Sequence, residues 1–196
     1  NVIGLSPDGG SSLTNHGHGV DINYNSSSNL VGGSQEAMGN VISGNTLSGV
    51  EISNDAGGGS TTANLVVGNL IGTTPDGQSA PNYARNTQFG VNLEGKVRCT
   101  DSCSSDISFN RVENNVIVGA TVGVMIWKGA HDNVVAGNIV GVLGNGAPAA
   151  SSANTVWGVL ISTGAFHNNI ESNTIMGVSR GISVRADNVF PEACIA

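Results

Sequence analysis

Charge is scarce in this chain: Asp, Glu, Lys and Arg together make up only 11% of its 196 residues. Seven basic residues face fourteen acidic ones, for a net charge of −7. That balance argues against nucleic acid or an anionic membrane surface as a partner. Aromatic residues fall to 4%. No apolar run approaches the roughly 20 residues of a membrane-spanning helix, so no membrane span is expected. No signal peptide stands at the start, and a first residue of Asn instead of Met suggests a processed or excised product. Cysteine is down to three residues.

Glycine is abundant, with 29 residues, and much of it sits in a repeated phrase. Gly19-Val20-Asp21-Ile22 returns as Gly49-Val50-Glu51-Ile52 and Gly90-Val91-Asn92-Leu93. It comes back as Gly123-Val124-Met125-Ile126, Gly158-Val159-Leu160-Ile161 and Gly181-Ile182-Ser183-Val184. Self-similarity at a few tens of residues marks a solenoid. Successive phrases are 30, 41, 33, 35 and 23 residues apart, so the strands hold while the turns absorb the variation.

Two further phrases keep phase with the first. One begins at Asn1, Asn40, Asn69, Asn138 and Asn173, the other at Asn29, Asn64, Asp106, Asn133 and Asn169. Each coil therefore carries three short strands with period-two alternation, separated by Gly/Asn turns. About six such coils describe an all-β, parallel β-helix, and the crossover rule favours a right-handed one. The expected domain is 1–190, with 191–196 as a C-terminal tail. Very short turns at Gly68-Asn69 and Gly137-Asn138 need the left-handed conformation that Gly and Asn tolerate. Stacked coil on coil, these Asn residues are expected to form a hydrogen-bonded ladder and to serve as architecture.

This arrangement resembles the pectate-lyase-like superfamily of right-handed parallel β-helices. Asn69-Leu70-Ile71-Gly72-Thr73-Thr74-Pro75-Asp76-Gly77 and Asn1-Val2-Ile3-Gly4-Leu5-Ser6-Pro7-Asp8-Gly9 are similar to repeats of secreted bacterial parallel β-helix proteins, many of unknown function. The resemblance is specific for fold and weak for activity, because the superfamily hosts lyases, hydrolases, epimerases, adhesins and phage spikes. It implies that chemistry lies on the outer face of the first strand of each coil, between long loops.

Alternation places Val20, Ile22, Val50, Ile52, Val91 and Leu93 inside. The outward set then includes Asp21, Asn23, Glu51, Ser53, Asn92, Glu94, Met125, Trp127, Leu160, Ser183 and Arg185. Asp21, Glu51 and Glu94 gather on three consecutive coils and are the candidate catalytic groups. Charges about 5 Å apart repel by roughly 1 kcal/mol in water and about 3 kcal/mol at an effective dielectric of 20. Asp21 and Glu51 could share a calcium ion, split their pKa values for acid–base work on a glycosidic bond, or splay into water. Asn23, Asn92, Trp127 and His18 are the candidate ligand contacts, with Trp127 as a sugar platform. Gly17-His18-Gly19 matches the Gly-His-Gly of polygalacturonases, but their Asn-x-Asp, Asp-Asp and Arg-Ile-Lys are missing. The motif therefore reads as a Gly-rich turn with a surface His.

Cys99 and Cys103 are spaced for a local disulfide, or less well for metal, since no second pair completes a tetrahedral site. Cys194 is left over. An oxidising compartment follows, hence a secreted or cell-surface protein. Two functions stay open. One is a structural or adhesive solenoid, stacking on copies of itself end to end or joined to neighbouring coils of a longer chain. The other is a polysaccharide lyase or glycoside hydrolase working on the outer face.

Overall fold

The computed structural model describes residues 1–35, 39–54, 59–95, 105–149 and 156–186. The chain winds as a parallel β-helix with three strands to a coil. The Gly-Val phrases form one six-stranded sheet: β2 (Val20–Ile22), β5 (Val50–Ser53), β9 (Phe89–Glu94), β13 (Val122–Trp127), β16 (Trp157–Ile161) and β19 (Arg180–Val184). The second sheet holds β3 (Leu30–Gly32), β7 (Leu65–Val67), β11 (Arg111–Glu113), β14 (Val134–Ala136) and β17 (Asn169–Glu171). The third holds β1 (Val2–Ile3), β4 (Val41–Ile42), β8 (Leu70–Ile71), β12 (Val116–Ile117), β15 (Ile139–Val140) and β18 (Thr174–Ile175). Two short strands, β6 (Gly59–Ser60) and β10 (Ser105–Asp106), pair beside them.

Register stacks like on like. Ile22, Ile52, Leu93, Ile126 and Ile161 are in line on the Gly-Val sheet, beside Val20, Val50, Val91, Val124 and Val159. Ile42, Ile71, Ile117 and Val140 line the third sheet, and Val66, Val112 and Val135 the second. These side chains form one continuous core and most are wholly buried. Each contributes roughly 1.5–3 kcal/mol of burial, so a narrow column of branched aliphatics suffices with few aromatics.

The Gly of the Gly-Val phrase has a steric cause. A Cβ on Gly90 would lie 2.3 Å from Ile117 Cγ2 and 2.6 Å from the Gly123 carbonyl oxygen. Gly123 and Gly158 meet the equivalent methyl and carbonyl of their own neighbours at 2.3–2.6 Å. The Gly-Val strand therefore starts where the third-sheet methyl presses against the backbone, and any side chain would wedge the coils apart.

The expected Asn ladders are present. Asn29, Asn64, Asn110, Asn133 and Asn168 form one, each Nδ2 donating to Oδ1 of the next at 2.9–3.1 Å. Asn1, Asn40, Asn69, Asn115, Asn138 and Asn173 form a second. A third, which the sequence reading did not separate, joins Asn15, Asn45 and Asn86. Backbone amides of the inner members donate to the same oxygens, as Asn64 does to Asn110. The residue before a ladder Asn takes a left-handed turn: Gly68, Asn114, Gly137 and Ser172 in one row, Ala63, Phe109, Asp132 and His167 in another.

Burial departs from simple parity on the outer face of the Gly-Val sheet. Met125 and Leu160 point away from the main core yet are buried, packing with Val122, Phe89, Trp127 and Trp157 in a second apolar cluster. Glu51 is buried as well, at 5% exposure. Over the middle coils these outward side chains are covered, while Asp21 on the first strand and Arg180 on the last stay exposed.

Candidate functional site

Register brings the outward residues into two rows. Asp21, Glu51, Asn92, Met125, Leu160 and Ser183 follow one another on neighbouring strands, and Ser53, Glu94 and Trp127 run alongside. Between the first coils and the aromatic cluster lies a cleft of about 410 Å³. His18, Leu47, Glu51, Gln88, Phe89, Asn92, Glu94 and Trp127 line it.

Asn92 organises the carboxylates. Its Nδ2 donates to both oxygens of Glu51, at 3.0 and 2.9 Å, and to Glu94 Oε2 at 3.2 Å. Sharing one nitrogen holds a Glu51 oxygen and a Glu94 oxygen within about 6 Å of each other. Ser48 Oγ donates to Glu51 Oε2 at 3.2 Å. His18 Nδ1 lies 3.5 Å from the same oxygen, but it also accepts the Ser48 backbone amide at 3.3 Å. In that arrangement the ring presents a lone pair to Glu51 and gives it no countercharge.

The two glutamates differ in surroundings. Burial pushes the Glu51 carboxyl up to about 8; the Asn92 hydrogen bonds oppose the rise, and repulsion from Glu94 adds to it. Glu51 is thus largely protonated at neutral pH. Glu94 is salt-bridged to Lys128, whose ammonium also sits 4.1 Å from the centroid of the Trp127 ring. Phe89 meets Trp127 edge-on with centroids 6.1 Å apart. One acid able to give a proton, one carboxylate held by a cation and one aromatic shelf therefore share a single cleft.

Four polar atoms on this face are buried without a hydrogen-bond partner: Asn92 Oδ1, Ser53 Oγ, Trp127 Nε1 and Trp157 Nε1. Unmet buried donors and acceptors are costly, and together they suit a hydroxyl-rich ligand.

Of the candidates read from sequence, Glu51, Glu94, Asn92, Trp127 and His18 come together in the cleft. Asp21 is exposed and does not line it, although it is the register partner of Glu51. Asn23 is buried and turns back on the chain, its Oδ1 accepting the Tyr24 amide at 2.8 Å. For the calcium reading, amide donors occupy both Glu51 oxygens, and no group of three or more His, Cys, Asp or Glu able to hold a metal occurs among the described residues. Cys99, Cys103 and Cys194 lie outside the described residues.

Sequence reasoning missed Lys128 for a definite reason. Parity after Trp127 points it inward, but its left-handed φ of 53° turns the chain and brings the ammonium back over the outer face. Phe89 was missed because it precedes the Gly-Val phrase, although β9 begins with it. No helix among the described residues is long and apolar enough to cross a membrane. No protein-family model, curated protein or solved structure matches the chain.

Proposed function

We propose that this β-helix is a carbohydrate-active protein that binds a polysaccharide across the Gly-Val face and cleaves its glycosidic bonds by hydrolysis. The observation that carries the reading is the paired environment of Glu51 and Glu94: one carboxyl buried and protonated, the other salt-bridged to Lys128, both hydrogen-bonded to Asn92. Environments that push two carboxyl groups apart mark acid and base roles. Glu51 gives its proton to the glycosidic oxygen, and Glu94 attacks the anomeric carbon, forming a glycosyl ester that water then hydrolyses. The shared Asn92 nitrogen keeps one oxygen of each within about 6 Å of the other, below the roughly 6.5–9.5 Å between the carboxyls of inverting enzymes, and on that bound the reading takes the retaining course. Trp127 supplies the surface on which a pyranose stacks. An extracellular polymer as substrate goes with a secreted or cell-surface location and with the pectate-lyase-like resemblance of the repeats.

A polysaccharide panel with reducing-end detection tests the reading. Cleavage by the wild type, with retention of anomeric configuration by NMR, is expected. Glu51→Gln should lower it by about 10³-fold or more with the fold intact. A panel left uncut, or a fully active Glu51→Gln, overturns the proposal.

A second reading, a rod stacked on copies of itself or on further coils, is favoured by the apolar ends of the described solenoid. On the first coil Ile3, Val20 and Val31 of the core rows are only partly buried, and Ile182 and Val184 on the last are 54% and 74% exposed. Light scattering on the 196-residue chain separates the two: rods or fibres support stacking, and a monodisperse monomer at high concentration refutes it.

A further inference from the structure

The Gly-Val face does not end at the cleft. Trp157 is the register partner of Arg180, and Arg185 follows β19 on the same face. The guanidinium carbons of Arg180 and Arg185 lie 5.7 and 5.3 Å from the centroid of the Trp157 ring. Both arginines are exposed. The chain has only seven Lys and Arg against fourteen acidic residues, yet neither arginine is ion-paired among the described residues. The nearby Trp157 Nε1 is buried with no acceptor. Two cations on one indole, in an acidic protein, form a place for an anion attached to a flat or apolar body.

We infer that Trp157, Arg180 and Arg185 form a subsite for a sulfated or carboxylated sugar. The inference rests on the proposed polysaccharide-cleaving function and names the class of its substrate. The strand of Glu51 and the strand of Arg180 are four steps apart in the sheet. At about 4.8 Å per step the subsite stands roughly 19 Å from the proposed point of cleavage. Met125 and Leu160 make an apolar floor between the two. A polymer lying along the solenoid axis would rest one unit on Trp127 and place an anionic group of a later unit between the arginines. The acidic end of the face, where Asp21 stands exposed and Glu94 is ionised, would then reject the anion and fix the direction in which the chain lies.

Dextran, dextran sulfate and carboxymethyl dextran oligomers of matched length serve as probes, with binding read by titration calorimetry at low and physiological salt. The charged forms should bind at least tenfold more tightly than dextran at low salt. The double variant Arg180→Ala/Arg185→Ala should lose that preference with an unchanged melting temperature. Arg180→Lys/Arg185→Lys should keep part of it, which separates charge from folding. Equal binding of charged and neutral forms, or a charge preference surviving in the alanine variant, overturns the subsite. The two readings fail separately. Glu51-dependent cleavage of a neutral polymer with no charge preference leaves the function and removes the subsite. Arginine-dependent binding with no polysaccharide cut on the panel does the reverse.

Discussion

Asp21 and Glu51 are register partners on neighbouring strands, yet Asp21 is exposed while Glu51 is 5% exposed and carries its proton at neutral pH. Repulsion between stacked carboxylates is relieved by neutralising one of them. The residue neutralised is the one that burial desolvates, against the opposing hydrogen bonds from Asn92 and Ser48.

The first prediction is a pH dependence of stability. The Glu51 carboxyl is raised in the folded state, so between its unfolded value near 4.5 and about 8 the folded chain holds a proton that the unfolded chain has released. Stability from this group is therefore full below about 4.5, is lost as pH climbs towards 8, and levels off above that. Relative to Glu51→Gln, the wild-type melting temperature should drop progressively across pH 5 to 8 by differential scanning fluorimetry. A constant offset between the two proteins across that window would remove the buried acid.

A ladder residue should matter more than an aliphatic of similar size. Asn110 is wholly buried, donates to the Thr61 carbonyl and Asn133, and accepts both the amide and the Nδ2 of Asn64. Asn110→Ala leaves several of these groups unpaired and should cost about 3 kcal/mol or more. Asn1→Ala, at the exposed start of a ladder, should cost well under about 1 kcal/mol. Urea unfolding of the two variants checks the difference; similar losses would mean the ladder is not cooperative.

Gly90→Ala should destabilise by about 1–3 kcal/mol through overpacking, because its Cβ would overlap Ile117 and the Gly123 carbonyl. Gly17→Ala, with nothing within 4 Å of its Cβ, should be close to neutral. Equal midpoints for the two in denaturant would contradict the steric origin of the repeat.

The chain has two tryptophans, and only one lines the cleft. A bound neutral oligosaccharide should change the fluorescence of the wild type and of Trp157→Phe, and leave Trp127→Phe unchanged. A response in Trp127→Phe would move the sugar site elsewhere.

The solenoid was legible because the same three phrases recur and because stacking forces their chemistry: Gly at the pinch point, Asn at the turn, branched aliphatics inside. The site was legible only where strand parity operates, at Glu51, Asn92, Glu94 and Trp127. Parity gives direction but not depth. It could not distinguish the exposed Asp21 from the buried Glu51, because burial depends on what the flanking segments bring over the sheet. It missed Lys128 because a single left-handed residue resets the alternation.

The Asn ladders have one further consequence. In all three, each Nδ2 points from a lower coil to the Oδ1 of the next higher one. Strand dipoles in a sheet largely cancel, but these amides all point the same way and add. The Oδ1 ends of the ladders, at Asn1, Asn15 and Asn29, face the early coils, and the Nδ2 ends face the late ones, where Asn168 and Asn173 donate to backbone carbonyls. The charges on the Gly-Val face lie in the same sense, acidic on the early coils and basic at Arg180 and Arg185. The solenoid is therefore an electrically polar rod, and in an applied field it should turn to align, negative end first towards the anode.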